Sequence, residues 1–352
     1  MAPVEILECT LRDGSYAINF QFTATDTAQI AGALEQAGFP YIEVGHGIGL
    51  GASEKGMGAA AETDEAYMRA TAETLTSARW GMFCIPGIAT LDHLDLAAGY
   101  GMNFVRVGTN VTEVRSSKPF IERAKQHGMM VCSNFMKSYA STPEDFAELA
   151  LMSQDFGTDV IYIVDSAGGM FPDDIRRYAE AVRKRTSITL GFHGHDNLGM
   201  GVANALAAIE CGASLVDSSL QGFGRSAGNT PTEHLLCALD RQGMPSGIDP
   251  VDVMDIGERF IVPLITARGT ASMDLVAGYA QFHSSYMGVI REFAGKYAVD
   301  PRRLIIAVCA RDKVNAPRAL VEEEARRLAD AKRLNEPLTR FQLNRYHGAE
   351  QG

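Results

Sequence analysis

Short apolar runs recur along the chain with longer amphipathic stretches between them, the rhythm of strands alternating with helices. The runs are Glu5 to Thr10, Tyr41 to Val44, Arg79 to Ile85, Phe104 to Gly108, Met130 to Phe135, Val160 to Val164, Thr189 to His193 and Leu215 to Ser218. The first spacer shows how the others read. Thr25 or Asp26 is placed to cap a helix, Ile30, Leu34 and Ala37 fall on one face, and Gly38 ends it. Pro143 opens a similar helix over Thr142 to Phe156, and another covers Asp173 to Lys184.

Eight such units predict an α/β fold, a (β/α)8 TIM barrel, because closure removes both edges that an open doubly wound sheet would leave. Past the eighth run a helix is expected from Pro231 to Arg241, then a turn-rich break from Gly243 to Pro250 and a second break at Thr266 to Ser272. Beyond it the pattern is helical. The expected domains are therefore a barrel over 1–262 and a C-terminal helical domain over 263–352. Within the latter, Leu320 to Leu334 carries Glu322, Glu323 and Glu324 early and Arg326, Arg327, Lys332 and Arg333 late. That order suits a helix dipole and reads as a solvated face.

Composition narrows the function rather than the fold. The 352 residues are 46% apolar and 21% charged, which fits a globular chain with a full core. A formal charge of -11 works against a surface for nucleic-acid phosphates or anionic lipid, so the expected partner is a small molecule. No segment reaches the roughly 18 apolar residues of a membrane span, and the N-terminus lacks a signal-peptide pattern. Six cysteines lie scattered without C-x-x-C spacing, as expected of reduced thiols in a cytoplasmic protein.

Candidate chemistry collects at strand ends, where barrels of this kind keep their catalytic groups. Arg12 and Asp13 follow the first strand in Thr10-Leu-Arg-Asp-Gly14. His193 and His195 end the seventh; two apart on a strand, they point the same way, and Gly194 between them leaves room for close approach. With Asp13 they make a two-imidazole, one-carboxylate set that leaves coordination positions open. Such donors suit Mn²⁺ or Mg²⁺, with Zn²⁺, Co²⁺ and Fe²⁺ as alternatives. After the eighth strand, Gly222-Phe-Gly-Arg-Ser-Ala-Gly-Asn229 contains G-x-G but not at the start of a βαβ unit, which argues against NAD. This loop is placed to bring backbone amides or Asn229 near the metal.

These residues resemble the metal-dependent barrel lyases and synthases related to 3-hydroxy-3-methylglutaryl-CoA lyase and isopropylmalate synthase, through T-L-R-D-G, H-G-H and G-x-G-x-x-A-G-N. Within that group the chain is most similar to the 4-hydroxy-2-oxovalerate aldolase family. The marks are Gln21-Phe-Thr23, Ile42-Glu-Val-Gly-His-Gly47, Val164-Asp-Ser-Ala-Gly168, Gly191 to Gly199, and Gly278-Tyr-Ala280 with Ser284-Ser285. The resemblance implies a class II aldolase that joins pyruvate, a 2-oxo acid, to an aldehyde through a metal-bound enolate. Asp13, His193 and His195 would ligate the metal, with Asn229 a ligand or near it, Arg12 steadying the enolate oxygen and Ser166 orienting the carboxylate. It also implies a homo-oligomer and an acylating aldehyde dehydrogenase partner docked by residues from about 263 onward.

The chain departs from that family at two places. Ser15-Tyr16 stands where the family has Met-His, and His283 where it has a tyrosine ahead of Ser-Ser. Together they read as an exchange of two groups facing one substrate, with His283 carrying the proton transfer and Tyr16 a hydrogen-bond donor. Two other readings stay open. One is a Claisen-type synthase joining acetyl-CoA to a 2-oxo acid, for which Arg225 speaks. The other is a subunit that has lost activity and serves assembly.

Overall fold

The computed structural model describes residues 4–244, 246–266 and 272–332. All eight apolar runs form parallel strands: β1 (Glu5–Glu8), β2 (Tyr41–Glu43), β3 (Arg79–Cys84), β4 (Phe104–Asn110), β5 (Met130–Met136), β6 (Val160–Asp165), β7 (Thr189–Gly194) and β8 (Ala213–Ser218). They close in chain order, with β8 paired back to β1. The barrel expected from the strand count is the fold. Strand ends move by one or two residues. Thus β1 stops short of Thr10 because the Glu8 carboxylate accepts hydrogen bonds from the Thr10 N–H (2.9 Å) and hydroxyl (2.7 Å), turning the chain.

Helices α1 (Ala24–Gln36), α2 (Asp64–Thr74), α3 (Leu91–Gly99), α4 (Lys118–Gln126), α5 (Pro143–Asp155), α6 (Pro172–Arg185), α7 (Gly201–Glu210) and α8 (Thr232–Arg241) cover the outside. One cap differs from expectation. Thr23, not Thr25 or Asp26, opens α1: its hydroxyl accepts the Asp26 N–H (3.1 Å) while the Asp26 carboxylate accepts the Thr23 N–H (2.9 Å). Asp26 is the third helical residue, and the reciprocal pair satisfies two N–H groups the first turn leaves open. Ile30 and Leu34 are buried as expected, whereas Ala37 lies just past the last turn and is half-buried.

Inside the barrel, large rings sit over glycines. Gly81, Gly108 and Gly191 face Phe104, Phe83 and Tyr162, and a Cβ on any of the three would come within 2.6 Å of a ring atom. Aromatic bulk on one strand needs a missing side chain on the next, and this packing floors the barrel beneath its C-terminal mouth.

After α9 (Pro250–Ile256) come α10 (Ser272–Ala280), α11 (Met287–Tyr297), α12 (Pro301–Cys309) and α13 (Arg318–Lys332). The last four share an apolar cluster of their own, including Met273, Ile290, Leu304, Val308 and Val321. They also roof the mouth. The Gly278 carbonyl lies 2.4 Å from where a Cβ of Gly169 would be, and Asn197, just past β7, donates to the Asp274 carbonyl (2.8 Å). On α13 the expectation of a solvated face is corrected for Glu324, which is buried and accepts from Arg311 and Arg327, because Val321 and Ala325 turn that side inward. Most of the second expected break, Pro245 within the first, and Arg333 and Leu334 lie outside the described residues.

Removing the cap hydroxyl with Thr23→Ala should lower unfolding free energy by about 1 kcal/mol, read from the denaturant midpoint. An unchanged midpoint would show that the first turn does not depend on this pair.

Candidate active site

A cavity of about 370 Å³ opens at the C-terminal ends of the strands. Its wall holds Arg12, Asp13, Tyr16, Ser166, His193, His195 and His283, so seven of the eight side chains singled out from the sequence meet there. The eighth, Asn229, is buried alongside and donates from Nδ2 to Asp13 Oδ1 (3.0 Å).

Ligand-capable atoms of Asp13, His193 and His195 all lie within 4.8 Å of one another. Both imidazoles are held in the form a cation requires. His193 Nδ1 donates to Asp217 (2.7 Å) and His195 Nδ1 to the Gly228 carbonyl (3.1 Å), which turns each Nε2 into an acceptor; on His195 that lone pair takes an Arg225 N–H (2.7 Å), a bond that an ion would replace. Burial and the Arg225 guanidinium push the His195 pKa well below its usual value, so that ring is neutral. Burial alone would raise the Asp13 carboxyl, but Arg12 and the two imidazoles outweigh it and hold it well below the carboxylate range. The residues fit a divalent cation on a further count: Asn229 Oδ1 is buried beside Asp13 with no hydrogen-bond partner, an acceptor that an ion would satisfy. Nitrogen and oxygen donors without a thiolate suit a hard or borderline divalent ion.

Gly194 has a different use from the one expected. Its absent Cβ points away from the site, 2.6 Å from the Phe192 ring, so the glycine accommodates outer packing rather than the imidazoles. The glycine that matters at the site is Gly224. A Cβ there would lie 2.3 Å from Asn229 Nδ2 and 2.9 Å from Asp13 Oδ1, so a side chain would part the loop from the carboxylate. That loop also delivers Arg225, whose N–H donates to Asp13 (3.1 Å) and whose guanidinium donates to His195 Nε2 (2.7 Å), the Ser166 carbonyl (2.7 Å) and Ser284 (2.6 Å).

Beneath the ligands runs a chain of buried ion pairs that the sequence did not reveal. Arg12 donates to Asp13 (2.5 Å) and Glu43 (2.9 Å), Arg106 donates to Glu43 (2.7 Å) and Asp217, and Asp217 holds His193. Glu43, Arg106 and Asp217 each interrupt an apolar strand at an inward position, which was the available signal. Lys137 also enters the cavity, from the turn after β5, where no strand pattern marks it.

His283 reaches the cavity on the roof. Its Nδ1 accepts the Ser285 N–H (3.2 Å) and lies 2.7 Å from the Ser285 hydroxyl. Burial, with the charges of Arg225 and Lys137, pushes its pKa well below 6.5. Ser166 Oγ accepts the Lys137 N–H (2.9 Å), which leaves its own O–H to donate into the cavity.

The sequence pattern of the HMGL-like family matches residues 3–260, the span that carries Arg12, Asp13, Ser166, His193, His195 and Asn229. The chain belongs to the HMGL-like family. Among its relatives, 4-hydroxy-2-oxovalerate aldolase 2 of Nocardia farcinica is 39% identical over 327 residues, covering 93% of this chain and 94% of that protein. The 4-hydroxy-2-oxovalerate aldolase of Carboxydothermus hydrogenoformans is 38% identical, covering 93% and 98%. In structure the HMGL-like chain resembles the carboxyl transferase domain of Rhizobium etli pyruvate carboxylase, solved with pyruvate and biocytin. The TM-score is 0.77 at 17% identity, over 94% of this chain and 61% of that one, a likeness of fold.

Replacing Asp217 by Asn should weaken divalent-metal binding by about 10–100-fold, measured by competition with a chelator, since the carboxylate fixes the His193 tautomer. Unaltered affinity would remove Asp217 from that role.

Proposed function

We propose that this HMGL-like protein is a divalent-metal-dependent pyruvate aldolase, making or cleaving a 4-hydroxy-2-oxo acid. The observation that carries the reading is the convergence of Asp13, His193 and His195 with the Arg12 guanidinium held beside them. Relatives named 4-hydroxy-2-oxovalerate aldolase, aligned over nearly their whole length, support it.

A divalent ion at these ligands, Mn²⁺ or Mg²⁺ in first place, supplies Lewis-acid polarisation of a 2-oxo acid's carbonyl. Arg12 is fixed by Glu43 on one side and Asp13 on the other, so its positive charge needs no rearrangement as negative charge builds on that oxygen. Ser166 offers its O–H to the carboxylate. His283 handles the proton of the 4-oxygen. With Nδ1 accepting from Ser285, its Nε2–H donates to an aldehyde oxygen. With Nδ1–H turned to the Ser285 hydroxyl, 2.7 Å away, Nε2 takes the 4-hydroxyl proton as the carbon–carbon bond breaks. Tyr16 supplies a phenolic donor from the wall by β1.

The proposed division at 262/263 assigns chemistry to the barrel and assembly to the helices, supported by their separate apolar cluster. Leu275 and Tyr279, exposed one turn apart on α10, form the candidate surface for a homo-oligomer contact or a dehydrogenase.

The Mn²⁺-loaded protein should release pyruvate from a 4-hydroxy-2-oxo acid, followed by coupled lactate dehydrogenase, and a chelator should abolish it. Thiol release from acetyl-CoA without pyruvate release would replace this reading by the Claisen one. Arg12→Ala should lower kcat by about 10²–10³-fold.

The His283 shift gives a pH profile. Only the neutral ring accepts a proton, and it persists at every pH above a folded pKa well under 6.5, so kcat should stay flat from about pH 6 to 8. His283→Ala should cost about 10²–10⁴-fold in kcat. A wild-type inflection near 6.5 that the variant loses would mean that the ring titrates unshifted.

A further inference from the structure

Lys137 is 3% exposed and lines the cavity, yet among the described residues no carboxylate lies within ion-pair distance of its ammonium. Its Nζ donates to the Val314 carbonyl (2.6 Å) and the Tyr286 hydroxyl (3.2 Å), both neutral. An ammonium has three N–H donors, so one is left for the cavity. A buried cation whose hydrogen-bond partners are neutral is costly to keep charged, and burial pushes this one down to about 8, although Glu113 and Asp312, neither within ion-pair distance, act the other way. The backbone is also unusual. Lys137 sits at φ 58°, ψ 45°, left-handed for a residue with a side chain, and the Ser166 hydroxyl pins its N–H there.

Position gives the cation its meaning. In a closed eight-stranded barrel β5 stands across the mouth from β1, so Lys137 faces the site from the side opposite Arg12 and Asp13. The charged side chains lining the cavity, with those paired to them, are the carboxylates Asp13, Glu43 and Asp217 and the cations Arg12, Arg106, Arg225 and Lys137. A divalent ion adds two more positive charges. A 2-oxo acid brings one negative charge and develops a second at its enolate, so within the lining and its ion-pair partners one positive charge stays unmatched, and Lys137 is the one placed at the far wall without a carboxylate in contact.

The geometry points to an aldehyde partner that itself carries a carboxylate, gripped by Lys137 across the cavity from the metal ligands. A carboxylate suits a single open N–H better than a phosphate does, since the Lys137 backbone N–H is already spent on Ser166. The inference rests on the aldolase reading above and names the substrate class within it.

The test compares succinic semialdehyde with pentanal as acceptors for saturating pyruvate on the Mn²⁺-loaded full chain. The semialdehyde should be favoured in kcat/KM by at least about tenfold. Lys137→Met should cut that ratio by about tenfold or more, and Lys137→Arg should retain most of it. Equal use of the two aldehydes by the wild type overturns the inference. So does an unchanged ratio in Lys137→Met accompanied by a raised KM for pyruvate, which would give Lys137 to pyruvate's own carboxylate. Deuterium exchange into the pyruvate methyl group, run without aldehyde, separates the two claims. Exchange without acceptor preference sinks this inference alone, while absence of both exchange and product sinks the aldolase reading with it.

Discussion

Everything at the mouth of this barrel depends on a row of buried charges that must neutralise one another. Asp13, Arg12, Glu43, Arg106, Asp217 and His193 hand hydrogen bonds from β1 across β2 and β4 to β8 and β7, along the floor of the cavity, and all six are buried. Removing Arg12, Glu43, Arg106 or Asp217 takes one partner from each of two buried neighbours, and breaking such a pair costs about 3–5 kcal/mol. The row is a weak source of net stability, because desolvating its charges offsets most of their attraction. Its value is positional. Arg12 cannot drift without breaking ion pairs on both sides, and Asp13 and His193 at the two ends are each held by one, so the charges are preorganised.

That rigidity explains the glycines around it. Phe83 and Tyr162, whose rings stack against the Arg106 guanidinium, occupy volume vacated by Gly108 and Gly191. Gly224 lets a loop press backbone and amide donors onto Asp13 from the other side. Packing and electrostatics converge on the same few atoms, so a small side chain at any of these positions would displace a charge as well as a ring.

The C-terminal helices complete the site rather than merely covering it. They contribute His283, Ser284 and Tyr286 to the cavity or its contacts, and the close passage of Gly278 over Gly169 sets their height. The barrel supplies the floor with the candidate metal ligands, and the helices close the wall above it together with Lys137 after β5.

Periodicity by itself determined the eight strands, their parallel order and the barrel, because strand-length apolar runs joined by amphipathic helices have few other ways to bury both faces. It also brought the candidate metal trio together: same-face spacing put His193 beside His195, and position after the first strand put Asp13 at the same end. Tertiary structure decided the rest. Glu43, Arg106 and Asp217 read as isolated charges in apolar strands until closure brought their strands together. Lys137 and Arg225 acquired meaning when loops after β5 and β8 were seen to enter one cavity. Gly194 was assigned the wrong neighbour and α1 the wrong cap. A linear pattern records which side a residue faces, whereas only the folded chain settles which atoms lie within 3 Å of it.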